Sequence, residues 1–130
     1  HRRYRAGLSD IPGVSVLSLD GQPKQNYQYV VVEIDTYAAG LSRDEIVEVL
    51  RAENVAARRY FHPGVHRMEP YATLYPNAGT SLPQTEQLTE RVLVLPNGTA
   101  VNTTDVDSIC SIIRTAVGNA DEVRSQLARS

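Results

Sequence analysis

The sequence predicts an α+β fold: a small, largely antiparallel sheet of three to four strands with helices mainly on one face. Short runs rich in β-branched and aromatic residues indicate the strands, and two segments with apolar residues three and four positions apart indicate the helices. Glycine, proline and asparagine divide the chain into short elements without an internal repeat. At 130 residues the chain fits a single domain, residues 1–130, that can bury a core.

A short basic helix over residues 2–8 is predicted first, ended by Asp10, Pro12 and Gly13. A helix of this length is not stable in water by itself, so it should either fray or be the tail of a longer helix. Residues 14–17 alternate weakly and predict an edge strand, whereas residues 27–34 predict a buried central strand. The polar residues 20–26 should form the loop between these strands.

A helix over residues 41–53 is indicated by a capping box, in which Ser42 and Glu45 each satisfy the other's free backbone donor. Its apolar stripe is predicted to be Ile46, Val49 and Leu50. Residues 55–58 predict a short strand.

Residues 60–83 contain four prolines and two glycines, a composition that cannot sustain a long helix or strand. We interpret this segment as a functional loop. Ser81 and Gln84 are predicted to cap a short helix that runs to Arg91, with Pro83 in its first turn. A strand over residues 92–95 follows, ended by Pro96.

The strongest amphipathic pattern predicts a helix that is capped by Thr103 or Thr104 and ends at Gly118. Residues 119–130 should form a docked or fraying terminal helix anchored by Val123 and Leu127. The predicted apolar stripe of the long helix is Val106, Ile109, Cys110, Ile113, Ala116 and Val117.

Composition argues against several classes of partner. The net charge of -2 provides no overall attraction to nucleic acid or to an anionic membrane, and no apolar run is long enough to span a bilayer. The single cysteine, Cys110, excludes an intrachain disulfide and suits the cytoplasm. Because Cys110 lies on an apolar stripe, we predict a core residue rather than a nucleophile.

Reactive side chains are densest in residues 58–67, which contain three arginines, two histidines and a tyrosine. Such a surface suits phosphates and sugar hydroxyls, although a solvated loop with unrelated charges explains the composition equally well. His62 and His66 have the spacing of a metal pair, but the intervening Pro63 and Gly64 argue against a helix that would place both imidazoles on one face. We therefore expect no metal site.

Seven runs of residues follow one another along the chain: YRAGL at 4–8, NYQYVV at 26–31, LSRDE at 41–45, RRYFHPGVHRMEPY at 58–71, LPQTE at 82–86, VLVLP at 92–96 and GTAV at 98–101. In this order they resemble the C-terminal third of DegT/DnrJ/EryC1/StrS sugar aminotransferases. The resemblance covers nearly the whole chain, and the run at 58–71 is similar to the branch that acts on C4 of nucleotide-linked 4-keto-6-deoxyhexoses.

This resemblance implies the C-terminal small domain of a fold-type I aminotransferase, with residues 1–8 as the remnant of an interdomain helix. In this family pyridoxal phosphate forms a Schiff base with a lysine of the large N-terminal domain. Lys24, the sole lysine, does not match that motif, so we expect no catalytic or cofactor-binding residue here and no transamination by this chain alone. The implied substrate-binding residues are Arg59, Tyr60, His62, His66, Tyr71 and Thr99.

The expected partners are the large aminotransferase domain, a nucleotide-diphosphate sugar and further copies of the chain in a homo-oligomer. An apolar surface that would face the large domain should be exposed in this chain and drive self-association. A free-standing sugar-nucleotide-binding or protein-interaction module is the alternative function. An independent enzyme that uses His62 and His66 is disfavoured, because the sequence offers neither a nucleophile nor a metal partner.

Overall fold

The fold is one antiparallel sheet packed against helices, as the sequence predicts. The structure, a computed structural model, describes residues 1–18, 21 and 26–129. Within them the sheet has four strands in the order β1-β2-β4-β3. The predicted loop at 20–26 falls mainly outside the described residues. The strands are β1 (Val14–Val16), β2 (Val30–Ile34), β3 (Arg58–Arg59) and β4 (Val92–Leu95).

The helices of the described residues range in length from four to sixteen residues. A 3₁₀ turn at Val65–Arg67 lies among the short helices that follow β3. The helices are α1 (Arg2–Leu8), α2 (Thr36–Ala39), α3 (Arg43–Ala52), α4 (Tyr71–Leu74), α5 (Ala78–Ser81), α6 (Pro83–Arg91), α7 (Thr103–Gly118) and α8 (Ala120–Leu127).

Two strands differ in extent from their predictions. The central strand β2 begins at Val30 rather than Tyr27, because Tyr27 has a φ of 48°, which turns the backbone out of the extended conformation. The strand predicted at 55–58 is instead β3, which pairs with β4 from Arg58 onward. Val55 donates its backbone N–H to Leu50 and thereby closes the end of α3, so it cannot join the sheet.

One of the predicted helix caps is present in the structure, and two others differ from their predictions. The Ser42–Glu45 capping box of α3 is confirmed. The predicted Ser81 cap is wrong, since Ser81 ends α5 and no side chain caps α6, although Pro83 does begin that helix. Asn102, not Thr103 or Thr104, caps α7, because its side chain accepts from the N–H of Asp105, whose carboxylate accepts in return.

The core lies on one face of the sheet, between the strands and helices α1, α3 and α7. Cys110 is buried there, as predicted, and burial raises the pKa of its thiol. It lies where α7 crosses α1, so closely that a Cβ on Gly7 would come within 2.7 Å of its Sγ. The apolar side chains that meet across this layer include Leu8, Val30, Val32, Ile34, Ile46, Leu50, Leu93, Leu95, Ile109 and Ile113.

The predicted apolar stripes are only partly exact. In α3, Ile46 and Leu50 are buried, but Val47 takes the fully buried place while Val49 is half-buried. Of the two anchors predicted for the terminal helix α8, Val123 packs against the core, whereas Leu127 is only partly buried. Arg124 of this helix donates to the carbonyl of Gly40, which ties α8 to the loop before α3.

The opposite face of the sheet is not covered by helices α1, α3 and α7. Alternation along the strands places Ser15, Val31 and Glu33 on this face, which we call the open face. The segment from β3 through α6 borders it. In the part of the chain that the structure describes, no helix has the length and apolar character needed to span a bilayer.

Tyr4 joins the first helix to the end of the sheet, and its loss should be measurable. Its phenol is 1% exposed and donates a 2.9 Å hydrogen bond to the carbonyl of Pro96. We expect Tyr4→Phe to lower the free energy of unfolding by about 1 kcal/mol. The matched control Tyr37→Phe, at a tyrosine that is 99% exposed, should change it by less than about 0.5 kcal/mol.

Tyr4 should also make the stability depend on alkaline pH. Burial raises its pKa from 10.0 to about 12. Its contribution is therefore fully present below pH 10 and lost as the pH rises toward 12. Urea unfolding from pH 8 upward should show the wild-type chain approaching the Tyr4→Phe variant in stability; a difference that stays constant throughout would contradict the burial of this phenol.

Candidate ligand-binding site

Two adjoining clefts occupy the open face of the sheet and the segment that borders it. The first, of about 1040 Å³, lies over β1 and β2, and we call it the sheet cleft. The second, of about 700 Å³, lies between the loop after β3 and helix α6, and we call it the aromatic pocket. Tyr60, Leu88 and Val92 line both clefts, so the two form a continuous surface.

Aromatic side chains line this surface where β3 ends. The ring centroids of Tyr29 and Tyr60 are 5.4 Å apart, and those of Tyr60 and Phe61 are 4.1 Å apart. Backbone hydrogen bonding holds Tyr60 beside β4, since its N–H donates to the carbonyl of Val92. Tyr71 and Tyr75 complete the aromatic pocket. The arrangement offers flat apolar faces and phenol hydroxyls to a ligand.

A charged cluster of His66, Arg67 and Glu86, hereafter the Glu86 cluster, adjoins the aromatic pocket, and His66 is the member that lines it. Glu86 accepts from Arg67 through Nε at 2.8 Å and through Nη2, and it accepts from His66 through Nε2. Hydrogen bonds from Arg67 and then His66 lower the pKa of the Glu86 carboxyl to about 2. The carboxylate is therefore ionised at neutral pH, and it links the loop after β3 to helix α6.

The structure brings together three of the six predicted site residues. Tyr60, His66 and Tyr71 line the aromatic pocket. His62 and Thr99 are exposed and line neither cleft. Among the described residues, no group of three or more His, Cys, Asp or Glu side chains is placed to bind a metal ion.

Arg59 lies on the helix-covered side of the sheet. In the β3–β4 register Arg59 pairs with Leu93, a core residue, while its neighbours along the chain alternate to the open face. Its guanidinium contacts α3, with Nε 2.8 Å from Oδ1 of Asp44 and Nη2 3.7 Å from Oε1 of Glu48. The Nε–H itself makes no hydrogen bond to the described residues.

Sequence reasoning missed several residues that shape the site. Glu86 belongs to the LPQTE run, yet no spacing rule connects position 86 with position 66. Tyr29 lies within the segment predicted as a buried central strand, but it is about half exposed beside Tyr60. Phe61 and Leu88 are also exposed on this surface, and only the tertiary fold reveals that they adjoin.

Comparison with known proteins gives one consistent result. Residues 1–114 match the DegT/DnrJ/EryC1/StrS aminotransferase family. The chain is 34% identical over 115 residues to dTDP-4-amino-4,6-dideoxy-D-glucose transaminase of Shigella dysenteriae and 30% identical over 110 residues to the Escherichia coli protein of the same name. Each match covers 85% of this chain and 29% of the relative.

Solved structures agree in fold. The crystal structure of DesI in the presence of its TDP-sugar product is 42% identical and superposes with a TM-score of 0.88, covering 98% of this chain and 32% of that one. The aminotransferase TlmJ from Streptoalloteichus hindustanus is 24% identical, with a TM-score of 0.74, over 92% of this chain and 30% of that one. The chain thus spans about a third of the length of the relatives that it matches.

Proposed function

This chain belongs to the DegT/DnrJ/EryC1/StrS aminotransferase family, and we propose that it is the C-terminal part of a sugar aminotransferase that contributes to binding a nucleotide sugar. The observation that carries the proposal is the aromatic pocket, where Tyr60, His66 and Tyr71 converge. All three belong to the run at 58–71 that resembles the family. The curated relatives supply the substrate class, since they act on a dTDP-linked amino sugar by name.

The chemistry of the pocket supports a nucleotide sugar as its ligand. Aromatic faces suit the apolar side of a sugar ring or a base, and the hydroxyls of Tyr60 and Tyr71 suit sugar hydroxyls. His66 of the Glu86 cluster lines the pocket, while Arg67 lines a neighbouring cleft. Arg59, His62 and Thr99 stay predicted contacts whose side chains lie outside the pocket, so we expect smaller effects from their substitution.

Transamination should require residues that this chain does not supply. The family's reaction depends on pyridoxal phosphate bound to a lysine, which carries both the cofactor and the migrating proton. Lys24 lies outside the described residues and outside the family's lysine motif. We therefore propose that the large aminotransferase domain is the partner that holds the cofactor. A cytoplasmic location is part of the proposal, supported by the free thiol of Cys110 in the core.

The proposal is tested by mixing the chain separately with dTDP-4-amino-4,6-dideoxy-D-glucose and with pyridoxal phosphate. We expect calorimetry to detect binding of the sugar nucleotide, and we expect neither a Schiff-base absorbance band nor transamination of a keto sugar. Tyr60→Ala should weaken sugar-nucleotide binding at least tenfold, while the matched control Tyr37→Ala should leave it unchanged. Equal affinity of the Tyr60→Ala variant would contradict the assignment of the pocket, and a Schiff-base band would contradict the inactivity of this chain.

Exposed apolar side chains on the open face support docking of the large domain and favour a fragment over a free-standing module. We expect the isolated chain to bury this surface by self-association, because large exposed apolar patches favour association. Light scattering should show a mass that rises with concentration, and Leu88→Lys should reduce it. A monomer at all concentrations would contradict this expectation. The side chains are Leu17, Tyr27, Tyr29, Phe61 and Leu88, each about half exposed or more.

A further inference from the structure

The Glu86 cluster determines how His66 can meet a ligand. The ionised Glu86 carboxylate can only accept hydrogen bonds, so the His66 nitrogen that contacts it, Nε2, must carry the hydrogen. Arg67 fixes the carboxylate in turn through both Nε and Nη2. This paired contact defines the direction of the carboxylate more tightly than a single hydrogen bond would.

The Glu86 cluster packs against two glycines, at positions where a side chain would collide with it. A Cβ on Gly64 would lie 2.8 Å from Cε1 of His66, and one on Gly79 would lie 3.1 Å from Oε1 of Glu86. The His66 side chain is 9% exposed and that of Glu86 is 20% exposed. The imidazole is therefore held between backbone on one side and the carboxylate on the other, and it has little freedom to rotate.

The second ring nitrogen of His66, Nδ1, differs from Nε2 in its hydrogen bonding. Nδ1 makes no hydrogen bond within residues 1–18, 21 and 26–129, and it lies 3.1 Å from the position that a Cβ on Gly64 would take. Both Gly64 and His66 line the aromatic pocket, so the missing Cβ leaves space beside Nδ1. In a neutral imidazole with hydrogen on Nε2, Nδ1 carries a lone pair and accepts hydrogen bonds. A group that reaches Nδ1 must therefore be a donor, such as a hydroxyl.

We propose that Glu86 is a positioning residue that holds His66 with Nε2 protonated, so that Nδ1 is left to accept a hydrogen bond from a ligand hydroxyl in the aromatic pocket. The identity of that ligand as a sugar rests on the proposed function. The state of the His66 ring does not, because it is set by the protein alone. Glu86 acts through His66 and Arg67 rather than by contact with the ligand.

Nitrogen-15 NMR of the histidine-labelled chain at neutral to slightly alkaline pH tests the state of the ring. We expect the uncharged form of the His66 ring to carry its hydrogen on Nε2, and the Nε2–H signal to be observable because exchange with water is slow. His66→Gln assigns the signal, and His62→Gln is the matched control that should leave it in place. A wild-type His66 with hydrogen on Nδ1 would overturn the proposal without any variant.

Two further variants distinguish positioning of the His66 ring by Glu86 from a merely structural contact between the loop after β3 and helix α6. Glu86→Gln retains the shape of the side chain but removes the charge that makes it an obligate acceptor, so the Nε2–H signal should be lost or divided between tautomers. Arg67→Gln removes a comparable contact from the same cluster and should keep the signal. An unchanged His66 spectrum in a folded Glu86→Gln chain would also overturn the proposal.

Addition of dTDP-4-amino-4,6-dideoxy-D-glucose to the labelled wild-type chain tests the ligand separately. A change in the Nδ1 shift, with Nε2 still protonated, is the expected result. If saturating sugar nucleotide leaves Nδ1 unchanged, the acceptor role of Nδ1 is overturned. If no sugar nucleotide binds at all, the proposed function fails, while the ligand-free spectrum still decides the positioning role of Glu86.

Discussion

Replacing Arg43 with alanine is expected to lower the free energy of unfolding by about 3 kcal/mol. Arg43 is 2% exposed, although it is an arginine in the first turn of α3. Its Nη1 donates a 2.8 Å hydrogen bond to the carbonyl of Val92, and its Nε donates to Asp44 at 2.7 Å. Alanine would remove this donor from the Val92 carbonyl, and it would create a cavity where the buried side chain had been.

The loss should reach the candidate site, because Val92 is the residue at which α6 passes into β4 and lines both clefts. Arg43→Met refills much of the volume without the hydrogen bonds, and we expect it to recover part of the stability. Arg51→Ala, on the same helix but half exposed, should cost less than about 0.5 kcal/mol. Urea unfolding measures all three; an Arg43→Ala variant as stable as Arg51→Ala would contradict the structural role of this guanidinium.

Gly13→Ala is expected to cost about 3 kcal/mol, from the left-handed backbone and from steric overlap together. Gly13 has a φ of +70°, and a Cβ there would lie 2.4 Å from the backbone N of Ala39 and 2.6 Å from the carbonyl oxygen of Asp35. Both are backbone atoms of the turn that carries α2, so neither can move away by rotating a side chain. Asp35 also donates its N–H to the Gly13 carbonyl at 2.8 Å, which fixes the approach.

Gly98→Ala is the matched control for the backbone effect. Gly98 has a φ of +117°, but a Cβ there would meet nothing within 4 Å. Its substitution should therefore cost only the conformational strain, about 1 kcal/mol. Thermal or urea unfolding of the two variants separates strain from overlap. Equal losses would show that the turn at Gly13 can move to accept a side chain.

Local signals predicted the elements whose stability is local. The Ser42–Glu45 box fixes the start of α3 because both partners lie within one turn. The amphipathic pattern likewise predicted α7 and the burial of Cys110. The density of reactive side chains at 58–67 and the family resemblance, rather than periodicity, indicated residues 58–71 as a site. These predictions needed no knowledge of which distant residues would meet.

Features that depend on distant contacts were not predictable in this way. Arg43 is buried because a carbonyl 49 residues away accepts from it, and nothing near Arg43 in the sequence indicates this. Arg59 and Tyr60 are consecutive, yet the one-residue alternation of a strand sends them to opposite faces. Which of the two residues faces the helices depends on the pairing of β3 with β4, and the sequence does not indicate that pairing. Glu86 contacts His66 because α6 packs against the loop after β3, and this contact joins residues 20 positions apart in the sequence.

The most direct measurement of the proposed function is the location of sugar-nucleotide binding on the chain. Amide chemical shifts should be followed by NMR while dTDP-4-amino-4,6-dideoxy-D-glucose is added to the wild-type chain. We expect saturable changes around Tyr60, His66 and Tyr71, with α7 and α8 unaffected. Changes confined to α7 and α8, or no change at millimolar ligand, would contradict the assignment of the aromatic pocket as a nucleotide-sugar site.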